Sequence, residues 1–335
     1  MKTILAWTLL LAHTSTHTAA AGNQILLRNL DPDEGSPQVI AADNRGHVFV
    51  VAEPTPTSEV QTSRVVELDL LGSRLASMDL PNFFQKAAAT DMQGELIVVG
   101  SDMSGQGVIL KLDPQLQNVL FTKSMPGQIG SVAVDAAGNI YVTGSTSSAS
   151  FPVTAGAYQT KPPGGDNFGT AVYAFVTEIS SGGDQLLYST YFGSDGAACS
   201  GGSHCIGKFG VTFGTTIAVG ASGAVYIAGS TTASGLPTTP GALASACNCG
   251  YPFSYPVVYS GFLAKLQPGA ARQLQWSTYM NGSGLPYGVT VTSITLDSEG
   301  NVIVGGNAPS GLPTTLGSYQ PSVIQAANAV VRHSC

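Results

Sequence analysis

Apolar and polar positions alternate along this chain in short β-branched or aromatic runs. Between Ile129 and Gly193 four such runs stand out, Ser131–Asp135, Ile140–Ser145, Ala171–Ile179 and Leu186–Phe192. Each is bounded by Gly, Ser, Asn or Pro, the signature of strands separated by turns. Tight turns at Asp135–Asn139 and Ser180–Asp184 join them in pairs. The pattern predicts a four-stranded antiparallel meander. One such sheet cannot bury both faces alone, so it calls for copies of itself.

The copies are present. Asp43-Asn-Arg-Gly46, Asp91-Met-Gln-Gly94, Asp135-Ala-Ala-Gly138, Gly220-Ala-Ser-Gly223 and Asp297-Ser-Glu-Gly300 each precede an apolar strand. The carboxylate is suited to accept backbone N–H bonds within the turn. The glycine takes a positive φ without steric cost. Asp43, Gly46, Asp91, Gly94, Asp135, Gly138, Gly223, Asp297 and Gly300 are therefore read as turn residues and not as a catalytic set. The fourth copy lacks the acid and is expected to be looser.

A second marker, Phe151-Pro-Val-Thr-Ala-Gly156-Ala-Tyr158, returns as Leu236–Leu243 and Leu312–Tyr319. A third, Leu187-Tyr-Ser-Thr-Tyr191, returns as Gln275-Trp-Ser-Thr-Tyr279. Gly138 to Gly223 and Pro152 to Pro237 are both 85 positions apart, so independent markers move in step.

The run Val134–Thr146, the Pro-x-Thr-x-Gly-x-Tyr segment at 152–158 and Leu-Tyr-Ser-Thr-Tyr at 187–191 resemble the bacterial β-propeller repeat SBBP, whose turn-and-strand half is similar to NHL repeats. The resemblance extends over Gln128 to the C-terminus and is weaker over Pro37–Gly127, where the Pro-Thr-Thr segment is missing. It implies an all-β propeller of four-stranded antiparallel blades and no particular activity. The units fall at about 37–81, 86–126, 128–193, 211–282 and 287–335, inside a propeller spanning 23–335. The last unit is incomplete. Either Ile25–Leu30 supplies its missing strand and closes five blades, or the chain is the front of a longer array.

Met1–Ala21 reads as a signal peptide, with Lys2, an apolar run Ile4–Ala12 and a small-residue site before Gly22. That run is too short to span a bilayer. The expected location is extracytoplasmic, in the periplasm, at the cell surface or secreted. Removing residues 1–21 takes the formal charge from -7 to -8. Only 10% of residues are charged, against roughly 25% in an average domain. An acidic, lysine-poor surface disfavours nucleic acid and anionic membranes.

In an exported chain, Cys199, Cys205, Cys247 and Cys249 are disulfide candidates. Cys247-Asn-Cys249 looks too tight for an easy bond, which leaves 199–205 or cross-pairing. Their spacing, with His204, matches no zinc module, so no metal is assigned. No cofactor motif, Gly-x-Ser-x-Gly elbow or His-Glu-x-x-His is found, and the mature chain has only His47, His204 and His333.

In such a meander the loop between the second and third strands shares one end of the sheet with the link to the next unit. The hairpin turns occupy the other end. The long inserts Ser147–Thr170, Ser194–Gly210 and Thr231–Ser260 all fall at the first end. Tyr158, Tyr251, Phe253 and Tyr255 are the candidate binding residues there, for carbohydrate or a polypeptide; packing of the long loop is the competing use of these rings. The sequence favours a monomeric, non-enzymatic scaffold or binding module. The alternatives are a propeller-type polysaccharide lyase or hydrolase and an inactive fragment of a longer repeat protein.

Overall fold

The computed structural model describes residues 36–53, 62–163, 171–194, 210–249, 258–282, 288–308, 311–314 and 328–333. The described residues are all-β, with no helix. Ile25–Leu30 lies outside them, and so does the closure it was expected to provide.

The strands form five antiparallel sheets in chain order. The first contains β1 (Ser36–Ala42), β2 (Val48–Glu53), β3 (Thr62–Leu68) and β4 (Arg74–Pro81). The second contains β5 (Phe83–Thr90), β6 (Leu96–Asp102), β7 (Gly107–Leu112) and β8 (Val119–Met125). The third contains β9 (Gln128–Val134), β10 (Ile140–Thr146), β11 (Tyr173–Ile179) and β12 (Leu186–Phe192). The fourth contains β13 (Thr212–Val219), β14 (Val225–Thr231), β15 (Ser260–Leu266) and β16 (Leu274–Met280). The fifth contains β17 (Thr290–Leu296), β18 (Val302–Asn307) and β19 (Asn328–His333). Each full sheet is a meander of sequential neighbours, which is how a propeller blade is built.

The chain divides into two compact units. One holds the first two sheets and the other the remaining three. Both faces of the central strands are apolar, and β2, β6, β10 and β14 are buried almost throughout. In the first unit Phe49, Val51, Leu96, Val98 and Leu112 share one core. In the second, Tyr141, Val176, Ile227, Phe262 and Tyr279 join the third and fourth sheets. Ala228, Leu263, Val291 and Val304 join the fourth and fifth. Burying a large apolar side chain contributes about 1.5–3 kcal/mol, so these shared cores explain why the sheets stack.

All five sheets have a register shift between their first and second strands. At four of them a glycine lies opposite. A Cβ on Gly144 would strike the Gln128 carbonyl, and one on Gly229 the Phe213 carbonyl. The bulge needs a residue without a side chain at that point.

Candidate functional site

Each sheet has a turn end and a loop end, and their chemistry differs. At the turn end Asp43 Oδ1 accepts from the N–H groups of Arg45 (2.9 Å) and His47 (2.8 Å). Asp91 does the same for Gln93 and Glu95, at 3.0 and 2.9 Å. Asp297 serves Glu299 and Asn301, at 3.0 and 2.8 Å, and Asp135 serves Asn139 at 2.9 Å. Gly46, Gly94, Gly138, Gly223 and Gly300 take φ between 75° and 90°. The acid-free fourth turn is not looser, contrary to the sequence expectation. Gly220 N–H donates to Ala224 at 2.8 Å and Gly223 N–H to Gly220 at 2.9 Å, so the backbone bonds close it unaided.

The same turn also occurs at Asp69–Ser73 and Asp102–Gln106, in hairpins of other strands. The sequence reading missed these. The Asp-x-x-Gly spacing at 69–72 and 102–105 was the available signal.

Within each sheet the third strand carries an ionisable residue at the same register. Glu67 pairs with Phe49, Lys111 with Ile97, Glu178 with Tyr141, Lys265 with Tyr226 and Arg332 with Ile303. Glu67 Oε1 lies 2.8 Å from His47 Nδ1, and Arg45 Nε donates to Asp43 Oδ2 at 2.8 Å. Lys111 Nζ reaches Asp91 at 3.0 Å and Glu95 at 2.6 Å. The Tyr141 hydroxyl sits 2.9 Å from Glu178 Oε1 and 3.1 Å from Asp135 Oδ2. Lys265 Nζ lies 5.1 Å from the centre of the Tyr226 ring, a cation–π contact.

Burial pushes Asp43 up, but the His47 and Arg45 donors outweigh it and leave its carboxyl below the ordinary value. Burial raises Glu67 and Glu178. Burial lowers Lys111, and Glu95 and Asp91 reverse that, so its ammonium is held more strongly than usual. Burial, Glu178 and Asp135 together raise the Tyr141 phenol. These groups neutralise and orient one another.

At the loop end the two remaining sequence markers meet. The Pro-x-Thr-x-Gly segment lies as a strap along the outer strand. Thr154 N–H donates to the Ser189 carbonyl at 3.0 Å, and Ser189 N–H returns to Thr154 Oγ1 at 3.1 Å. Gln159 N–H donates to Thr190 Oγ1 at 2.8 Å, and Tyr191 N–H to the Gln159 carbonyl at 3.1 Å. The fourth sheet repeats this with Thr239, Ala244, Ser277, Thr278 and Tyr279. The straps cover the edges of β12 and β16, which would otherwise display unpaired backbone groups.

Tyr158 belongs to a strap. Its N–H lies 3.4 Å from Tyr188 Oη and its ring 6.4 Å from Phe192, half-buried against the core. Tyr251, Phe253 and Tyr255 lie outside the described residues, as do Cys199 and Cys205. Cys247 and Cys249 come to disulfide distance, with Cα atoms 5.3 Å apart. This corrects the expectation that the pair is too tight, since that spacing falls within the ordinary disulfide range.

A cleft of about 150 Å³ opens at the loop end of the first unit, lined by Gln38, Glu53, Thr62, Ser63, Phe83, Phe84 and Gln85. Ser63 Oγ donates to the Phe83 carbonyl at 2.6 Å and also contacts Gln85 Oε1, which fixes the cleft floor. Phe84 is 37% exposed. The lining thus holds two amides, a carboxylate, two hydroxyls and two phenyl rings, of which Phe84 is the exposed one. The sequence reading did not find it, because its residues come from four strands and share no motif. Among the described residues no group of His, Cys, Asp or Glu is placed to hold a metal ion. No helix there is long and apolar enough to cross a membrane.

No curated protein matches the sequence. Among solved structures, the acylaminoacyl peptidase of Pyrococcus horikoshii aligns at 9% identity and TM-score 0.44, covering 89% of this chain. The chain spans 38% of that peptidase's length. The periplasmic gluconolactonase PpgL of Pseudomonas aeruginosa aligns at 12% identity and TM-score 0.41, covering 98% of this chain and 99% of its own. Residues 128–152, from the start of β9 to the Phe-Pro that opens the first strap, match the model of the SBBP beta-propeller repeat.

Proposed function

We propose that the protein is an exported, monomeric, non-enzymatic binding module whose loop ends recognise carbohydrate, with a polypeptide segment as the other ligand class. The cleft of the first unit carries this reading. It combines an exposed aromatic face with amide and hydroxyl groups, the pairing that suits a neutral ring bearing many hydroxyls. At the turn end, by contrast, Asp43, Lys111 and Tyr141 are engaged with neighbouring side chains. Binding residues usually sit on loops held by a rigid scaffold, and the buried Ser63, bonded to the Phe83 carbonyl, ties β3 to β5 beneath this cleft. The mature protein is expected to retain a subset of glycans on an array. Phe84→Ala, at a 37% exposed ring, should abolish that binding without altering the melting curve. An array on which wild type and Phe84→Ala behave alike removes the proposal.

The alternative, a polysaccharide lyase or hydrolase, draws on one arrangement, the Tyr141 hydroxyl between Asp135 and Glu178. A tyrosine flanked by carboxylates can donate or abstract a proton when its environment brings the phenol near working pH. Here the environment moves it the other way. Release of reducing or unsaturated ends from a polysaccharide panel by wild type, and its loss in Tyr141→Phe, would favour the enzyme.

A further inference from the structure

Cys247-Asn248-Cys249 leaves the strap of the fourth sheet and leads towards the segment holding Tyr251, Phe253 and Tyr255. Its two sulfurs are at disulfide distance. A bond between residues two apart encloses almost no chain, so it ties no distant elements together. The segment is also anchored without it. Asn281 Nδ2 donates to the Ala246 carbonyl at 2.7 Å. Asn248 N–H reaches Ser260 Oγ at 3.2 Å, and Asn248 Nδ2 donates to the Gly282 carbonyl at 2.9 Å. Opening the disulfide therefore leaves the backbone in place.

The two sulfurs are not equivalent. Cys247 packs against the core joining the third and fourth sheets, with Sγ 3.4 Å from Ser260 Oγ. Ser260 is 1% exposed, and its hydroxyl donates to Asn281 Oδ1 at 2.7 Å. Cys249 lies on the loop side of this anchor, and among the described residues no hydroxyl serves it.

We propose that Cys247–Cys249 is a thiol–disulfide exchange site at which an external thiolate attacks Cys249 and Cys247 departs. The new bond joins the incoming sulfur to Cys249 Sγ as the bond to Cys247 breaks. The electron pair leaves on Cys247 Sγ, and the Ser260 hydroxyl turns from Asn281 to donate to it. Attack by Cys247 on the mixed disulfide expels the thiolate and restores the starting bond. Alternatively, a second external thiolate attacks the incoming sulfur. That leaves both cysteines reduced and the two external thiols joined as a disulfide. The partner class is a small thiol or an exposed cysteine of another protein. A hydroxyl donor lowers the basicity of the departing thiolate and speeds its release. Ser260 is thus a positioning residue for the reaction.

Intact folded protein in glutathione buffers of graded ratio, quenched and differentially alkylated, tests this. No Lys or Arg lies between Lys208 and Lys265, so the tryptic peptide 209–265 carries only Cys247 and Cys249. The pair should open and close reversibly with the melting curve unchanged, and the single-glutathione adduct should map to Cys249. Ser260→Ala should slow adduct formation several-fold, and Ser260→Thr, which keeps the hydroxyl, should restore the rate. An adduct on Cys247, or reduction only in denaturant, overturns the proposal. So does a Ser260→Ala rate equal to wild type; if that variant does not fold, the adduct position in wild type decides alone.

Discussion

The turn residues show how far one side chain matters when the backbone already closes a turn. Asp43 and Asp91 each accept two N–H groups, while Gly220 accepts none through a side chain and its turn still forms. The acid therefore adds to a turn it does not create. A Cβ on Gly220 would meet only ordinary contacts, the nearest at 3.5 Å to Tyr226. Gly220→Asp should raise stability by about 0.5–1 kcal/mol, from the added acceptor and the less flexible unfolded chain. A urea midpoint equal to or below wild type would contradict it. Glu178 makes the opposite case. Burial raises its folded pKa, so it binds its proton more tightly folded than unfolded. That contribution is complete below the unfolded value of about 4.3 and fades as pH rises through the folded one. Glu178→Gln keeps an acceptor for Tyr141 without the charge. Its melting temperature should match wild type near pH 4 and exceed it at pH 8, a difference that calorimetry at the two values measures.

At the scale of elements, the strands were legible because each alternates or runs apolar between Gly, Asn and Pro. The second strands carry the clearest signal; Val225–Thr231, buried at every position, is one of them. What could not be read was the relation between motifs. Thr154 and Ser189 are 35 residues apart, and only the folded sheet shows that the strap and the Tyr-Ser-Thr-Tyr strand recognise each other. The cleft is hidden for the same reason, since Gln38, Glu53, Thr62 and Phe84 belong to β1, β2, β3 and β5. Likewise Gly144 looks like any turn-former in sequence, yet it faces a bulge and not a turn. The strap contact is testable. Thr154→Val removes the acceptor for Ser189 N–H at a cost of about 1 kcal/mol. Amide exchange at Ser189 and Tyr191 should accelerate while the central strands β10 and β11 stay protected. Uniform acceleration across the third sheet would mean that the strap carries its stability rather than capping its edge.

For the molecule as a whole, the sheet class could be read early, because five copies of a turn recur and, from Gly138 on, three copies of a strap move in step with it. The ends of the array were harder, since the markers thin out there. The fifth sheet has β17, β18 and β19 but no fourth strand among the described residues, whereas the other four sheets each have four. An antiparallel sheet with an open apolar edge invites a further strand. The sequence offers Ile25–Leu30 for that place, with a longer array as the other reading. If Ile25–Leu30 fills it, a chain beginning at Pro32 should lose amide protection in Ala329–Arg332 and melt earlier, while the first four sheets exchange as before. Export bears on the same segment. Cleavage after Ala21 would leave Gly22 only three residues ahead of Ile25, so a secreted product starting at Gly22 keeps the candidate strand and one cut beyond Leu30 destroys it. N-terminal sequencing of exported protein, paired with exchange at 329–332, separates the outcomes. Protection in a product that lacks 25–30 would place the fourth strand elsewhere, and loss of protection in that product alone would identify Ile25–Leu30 as its source.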